Sequence, residues 1–217
     1  NIVRELTRQG NIVEVVTLDR TNENYLTDTN LVIHALGPSL GKYRFTHKLI
    51  PWLIRNVQRF DVVICHGIWQ FHSMATWLAS RNIQFQYFVF VHGALDPWFK
   101  KAYPLKHIKK MIYWLLTERH VLSSATGVFY TTEDEKILAA QSFSMKNIRN
   151  MITRYGIYAP EGNPDIQKDV FYSKVPALRE KQILLFLSRL HPKKGCDLLV
   201  DAFAKKTKKN LDLHLVM

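Results

Sequence analysis

Three short stretches of this chain hold side chains whose type and spacing suit work on an anionic or hydroxyl-bearing ligand. The first is Ser188-Arg189-Leu190-His191-Pro192-Lys193-Lys194-Gly195, which follows the apolar run Ile183 to Leu187 and precedes Leu198, Leu199, Ala202 and Phe203 at helical spacing. Arg189 and Lys194 therefore fall on a strand-to-helix loop, where unpaired backbone N–H groups and the positive end of a helix dipole favour an anion such as phosphate. The same loop also reads as a solvated basic turn. The other two stretches are His66-Gly67 and His92-Gly93, each at the end of an apolar run. Ligands of open α/β sheets gather at the carboxyl ends of strands. A glycine there lets a ligand approach the backbone, and an imidazole donates or accepts near neutral pH. A histidine at a strand end is also commonly structural. Cys65, His66, His72 and His92 lack a recognised zinc spacing, and no Asp-x-Asp pair ends a strand, so neither a metal nor a cofactor is expected. A nucleophile elbow and a phosphate-cradling Walker loop are both missing from the sequence.

The elements that must position these groups follow from periodicity. Residues 1 to 9 read as the end of a helix, and Ile12 to Leu18, Leu31 to Leu36, Asp61 to Cys65, Phe85 to Val91, Gly127 to Thr131 and Ile148 to Arg154 read as strands. Helices are expected between them. One carries Phe45, Leu49, Leu53 and Val57 on one face and is interrupted by Pro51, one covers Phe71 to Ala79, and one covers Glu133 to Ala140. Leu105 to Leu122 is expected as an amphipathic helix with apolar residues at 105, 108, 111, 112, 115 and 116 and Lys106, Lys109 and Lys110 opposite. Alternation of strand and helix with short links implies a parallel sheet with helices on both faces, a Rossmann-like α/β domain. We expect a first domain over 1–154 without its first strand, a crossing segment over 155–180, and the first strand-helix-strand of a second domain over 181–217, ending in a strand over Leu211 to Met217.

Composition narrows the class further. With 217 residues, 47% of them apolar, the chain reads as soluble and globular; it has no apolar run of bilayer-spanning length and no signal peptide, which suggests the cytoplasm. Cys65 and Cys196 are expected to be reduced. The formal charge is +12 and it is concentrated: residues 42–59 carry five Lys or Arg and no acid, 97–122 six against one, and 181–217 eight against three. Such clustering points to an anionic partner. The basic aromatic segment Trp98 to Lys110 suits an anionic membrane surface, and it suits equally well a solvated helix face.

The stretch from Gln182 to Ala204 resembles the Gly-Arg-Leu-x-x-x-Lys-Gly signature opening the second domain of family 4 retaining glycosyltransferases, which have the GT-B fold; Ser188 stands where that family has its leading glycine. His66-Gly67-Ile68-Trp69 and Phe88 to Phe99 are similar to two further stretches of that family. The resemblance implies that Arg189 and Lys194 grip the diphosphate of a nucleotide-sugar donor, that His92 meets the transferred sugar, and that His66, Gly67, Trp69 and Gly93 line the acceptor or sugar pocket. It also implies transfer of a sugar to an acceptor hydroxyl with retention and without a metal, in cell-surface polysaccharide or lipid-linked glycan synthesis, at the cytoplasmic face of a membrane. Both ends read as cut, and neither a Gly-rich loop after the first strand nor a Glu-x7-Glu motif is present, so this fragment is expected to be inactive by itself. A non-catalytic membrane adaptor with a degenerate GT-B fold is the main alternative. A nucleic-acid-binding module is a weaker one, since no reading motif for RNA or DNA is present.

Overall fold

The computed structural model describes residues 2–26, 31–154, 156, 159, 161–207 and 212–217. The chain divides into two compact units, Asn1–Ile157 and Tyr158–Met217.

In the first unit, α1 (Ile2–Arg8) leads to β1 (Glu14–Thr17), which pairs in parallel with β2 (Val32–Ala35). These two strands form a small sheet of their own. Then come α2 (Leu49–Asn56), β3 (Val63–His66), α3 (Phe71–Asn82), β4 (Tyr87–Phe90), α4 (Trp98–Ala102), α5 (Pro104–Tyr113), a π-helical turn (Trp114–Glu118), α6 (Arg119–Ser124), β5 (Gly127–Tyr130), α7 (Glu133–Ser142) and β6 (Asn150–Ile152). Strands β3, β4, β5 and β6 lie side by side in chain order and are all parallel.

The pleat sorts their side chains. Cys65, Tyr87, Val89, Val128 and Tyr130 enter a buried cluster with Trp114, Val121, Leu122, Ala139 and Phe143. Among the alternate residues, Phe88 stacks on Phe129 with centroids 4.9 Å apart, and Phe90 lies 5.0 Å from the same ring. A second cluster joins Leu49, Leu53 and Val57 to Phe71, Ala75 and Ala79. Local chemistry fixes the helix ends. The Thr132 hydroxyl accepts the Glu135 N–H at 3.1 Å, and three acids occupy the first turn of α7, where the dipole favours them.

Several expectations needed correction. The helix predicted to contain Phe45 begins only at Leu49, because Leu40 and Phe45 bridge antiparallel and Arg44 takes a left-handed φ of 61°. Pro51 then lies in the first turn of α2, where it sacrifices no helical hydrogen bond and produces no interruption. The 105–122 segment is two helices joined by the π-turn, and its apolar face is not the buried one. Trp114, Thr117, Glu118, Val121 and Leu122 are buried, whereas Leu105 (78%), Ile108 (57%), Ile112 (56%), Leu115 (50%) and Leu116 (71%) are exposed.

The second unit contains α8 (Pro164–Lys174), β7 (Gln182–Leu185), α9 (Cys196–Thr207) and β8 (Leu213–Val216), with β7 and β8 parallel. Part of the segment expected as a plain crossing is thus helical: the Asn163 side chain caps the Asp165 N–H at 2.8 Å, and Pro164 takes the first helical position. In the run Ile183 to Leu187, Leu184, Leu185 and Leu187 are exposed. Of the predicted terminal strand, Leu211 lies outside the described residues.

Candidate functional site

The parallel order of β3 and β4 sets His66 and His92 side by side. His66 is the last residue of β3 and lies opposite Phe90 in the register, and His92 follows Phe90 by two, on the same face. The three rings lie in a triangle with nearly parallel planes, with centroids 5.3 Å apart for His66–Phe90, 5.3 Å for His66–His92 and 5.1 Å for Phe90–His92. His66 Nδ1 and His92 Nε2 are 3.1 Å apart, so one imidazole donates to the other. Both residues keep exposed surface. Burial of the rings holds both imidazoles below the ordinary histidine range; for His66 the charges of His92 and His72 add to this, and for His92 the Glu135 carboxylate opposes it. At neutral pH the pair is uncharged, and one N–H links the two rings.

Backbone strain aims the pair. Both strands end in residues with left-handed φ: Gly67 (92°) and Trp69 (73°) after β3, His92 (49°) and Gly93 (68°) after β4. Only glycine adopts this region freely, and for a tryptophan or a histidine it must be enforced by surrounding contacts. Around Trp69 those contacts are dense. Its N–H donates to Glu118 Oε1 at 2.7 Å, its indole N–H donates to the Ala94 carbonyl at 3.2 Å, and its ring packs 5.3 Å from Phe143. The Lys110 ammonium sits 4.8 Å from the same ring and 5.2 Å from that of Phe99. Trp69 thus ties the β3 loop to the β4 loop, a structural task beside the pocket-lining one expected from the sequence.

Three further groups support these turns: His72, weighed from the sequence only as a metal ligand, and Glu118 and Glu135, to which the sequence reading gave no role. His72, in the first turn of α3, approaches the Gly67 carbonyl at 3.1 Å through Nε2, and a Cβ on Gly67 would meet that nitrogen at 3.7 Å. Glu118 is fully buried; besides Trp69 it accepts from the Ser73 hydroxyl at 2.8 Å, and burial pushes its carboxyl up to about 7 against those two bonds. Glu135 Oε1 accepts the Gly93 N–H at 2.6 Å, while its Oε2 accepts both the N–H and the hydroxyl of Thr131 at 2.7 Å. Two signals pointed to these acids: Glu118 is the single acid among residues 97–122, and Thr132-x-x-Glu135 has capping-box spacing.

Among the described residues no group of three or more His, Cys, Asp or Glu side chains is arranged to hold a metal. In the second unit Arg189 and Lys194 lie where the sequence puts them, exposed on the loop between β7 and α9. There His191 Nδ1 accepts the Lys193 N–H at 3.2 Å, Pro192–Lys194 forms a 3-10 turn, and Gly195 (φ 64°) reverses the chain into α9.

Residues 1–156 match the profile of the glycosyl transferase 4-like domain. No curated protein sequence matches the chain. Among solved structures it is similar to Anabaena Alr3699/HepE in complex with UDP and glucose, with a TM-score of 0.61 and 14% identity over 88% of this chain and 48% of that one. It is also similar to Alr3699/HepE in complex with UDP-glucose, with a TM-score of 0.61 and 15% identity over 91% and 50%. The chain therefore spans about half the length of these structures. The likeness establishes the fold class expected from the sequence, the Rossmann-like α/β architecture of GT-B proteins.

Proposed function

Because the chain belongs to the glycosyl transferase 4-like family, we propose that it carries the acceptor-side domain and the opening of the donor domain of a retaining glycosyltransferase. The donor is a nucleoside-diphosphate sugar, and UDP-glucose, bound by the structurally similar HepE, is the first to try. The observation that carries the reading is the His66–His92 pair, two neutral imidazoles in contact at neighbouring strand ends, on turns whose glycines leave the backbone open to a ligand.

Neutral imidazoles suit a sugar better than a phosphate: His92 hydrogen-bonds a hydroxyl of the transferred sugar, and His66, Gly67, Trp69 and Gly93 form the wall beside it. Arg189 and Lys194 neutralise the diphosphate as it leaves. The C–O bond to the diphosphate breaks and the bond to the acceptor oxygen forms on the same face, and the departing phosphate takes the acceptor's proton. With charge supplied by the two side chains, the reaction runs without a metal. In an enzyme with both domains entire, Arg189→Ala or Lys194→Ala lowers turnover of UDP-glucose, or whichever donor it accepts, by about a hundredfold or more. Near-normal turnover in both variants removes the assignment.

The exposed row Leu105, Ile108, Ile112, Leu115 and Leu116, flanked by the exposed Lys106 and Lys109, supports a place for this enzyme on a membrane, in synthesis of a polysaccharide or a lipid-linked glycan at the cytoplasmic face. No helix among the described residues is long and apolar enough to cross one. The row lies on the headgroup layer with the lysines against anionic lipid. Ile108→Glu then abolishes co-sedimentation with phosphatidylglycerol vesicles. Binding that survives this change, or a row that instead drives self-association in size-exclusion chromatography, rules the docking face out.

A further inference from the structure

We infer that Glu118 and Glu135 are positioning residues for the imidazole pair, each fastening one of the two left-handed turns through a backbone N–H. Trp69 and Gly93 lie past the ends of β3 and β4, so their N–H groups take acceptors from elsewhere in the fold. The π-turn delivers Glu118 to the first and the first turn of α7 delivers Glu135 to the second, at 2.7 and 2.6 Å. The Gly93 bond to the Glu135 carboxylate is of the stronger, charge-assisted kind, and with the Trp69 bond to Glu118 it opposes the strain of holding Trp69 and His92 in sparsely populated backbone conformations. Thr131 adds a third loop: Glu135 joins the turn after β4 to the residue after β5, so the aim of His92 is set jointly by two strand ends.

The two carboxylates are used differently, and that difference makes the inference testable. Glu118 accepts both of its bonds through Oε1, while Oε2 is buried with no hydrogen-bond partner. A glutamine keeps an oxygen in the first position and can hold Trp69 and Ser73 unchanged. Glu135 accepts through both oxygens. A glutamine there has one oxygen for two sets of N–H donors, so either Gly93 or Thr131 loses its acceptor whichever way the amide turns.

The experiment compares Glu118→Gln and Glu135→Gln in the 217-residue chain by NMR, reading the ring-proton contact between His66 and His92 and the hydrogen-exchange protection of the Trp69 and Gly93 amides. Leu53→Ala, in the other buried cluster, serves as a control for loss of stability alone. The expected result is retention of the contact and of Trp69 protection in Glu118→Gln, loss of the contact or at least a tenfold fall in Gly93 protection in Glu135→Gln, and no change in the ring contact in the control. Both glutamines behaving alike, or the control behaving like Glu135→Gln, overturns the inference. Its consequence for catalysis rests on the proposed sugar-side role of the histidines, and a second reading separates the two. With both domains entire, Glu135→Gln lowers kcat at least tenfold with little change in donor KM. If the ring contact responds as expected while kcat does not, the positioning stands and the role given to the histidines falls.

Discussion

The buried carboxyl of Glu118 makes a prediction about pH that can be worked through. An ordinary glutamate in the unfolded chain loses its proton near 4.5, whereas burial holds this one to about 7 in the folded state. Between these values the folded chain carries one more proton than the unfolded chain, so stability falls as pH rises through the window. The gap of about 2.5 units, at 1.36 kcal/mol each, amounts to about 3 kcal/mol, absent below pH 4.5 and complete above pH 7. His66, His72 and His92 act in the opposite sense: their folded values are depressed, so their contribution is present above the ordinary histidine range and is lost as pH falls through it. In the wild type the two effects partly cancel. Glu118→Gln keeps the histidines and removes the carboxyl, so the difference between the two proteins isolates Glu118. The groups its charge touches, Cys65, Tyr43, Tyr87 and Tyr113, are all pushed upward and stay neutral throughout. Urea denaturation at intervals from pH 4 to pH 8 reads the effect. We expect the glutamine variant to gain about 3 kcal/mol on the wild type across that range, whatever constant offset its amide introduces. Parallel curves, or a gain in the opposite direction, refute the assignment of a buried, proton-retaining Glu118.

Further outcomes follow from the packing. Trp114 is fully buried in the larger cluster and contacts Phe143 at 4.7 Å, so Trp114→Ala should lower unfolding free energy by about 3–5 kcal/mol in a denaturant titration, and a loss below about 1 kcal/mol would mean the site collapses around the gap. Burial pushes the Cys65 thiol up to about 12, so iodoacetamide should label the half-buried Cys196 in the native chain and leave Cys65 unmodified by mass spectrometry; early labelling of Cys65 contradicts its placement. At Gly37 an added Cβ would fall against the Asp19 carbonyl, to which the Gly37 N–H donates at 3.0 Å, so Gly37→Ala should cost about 1–3 kcal/mol, read from the shift in denaturation midpoint.

The strands were legible in the sequence because their apolar runs are short and bounded; β3, β4 and β5 begin and end within two residues of where the pattern puts them. The strand-end histidines and the basic loop after β7 were legible for the same reason, since a strand's end dictates where its next residue must be. Period alone failed in the 105–122 segment. Apolar residues occupy two sides of α5 and the π-turn, and only tertiary packing around Trp114 decides which side is inward. The start of α2 was misplaced because Arg44 and the Leu40–Phe45 bridge are products of a loop conformation that no propensity announces. Helix α8 was missed although Asn163-Pro164 is a good opening signal, because the charged, apolar-poor residues after it obscured the helix. The supporting carboxylates were hidden in another way. Their partners are backbone N–H groups 49 and 42 residues away, and backbone donors leave no mark in a sequence.

The order of the four central strands bears on how the chain is made. As each strand leaves the ribosome, the edge it must join is the one completed just before it, so β4 can dock on β3, β5 on β4 and β6 on β5 without waiting for distant sequence. Assembly can keep pace with synthesis, and the turn that carries His92 is fastened once β5 and the first turn of α7 have followed.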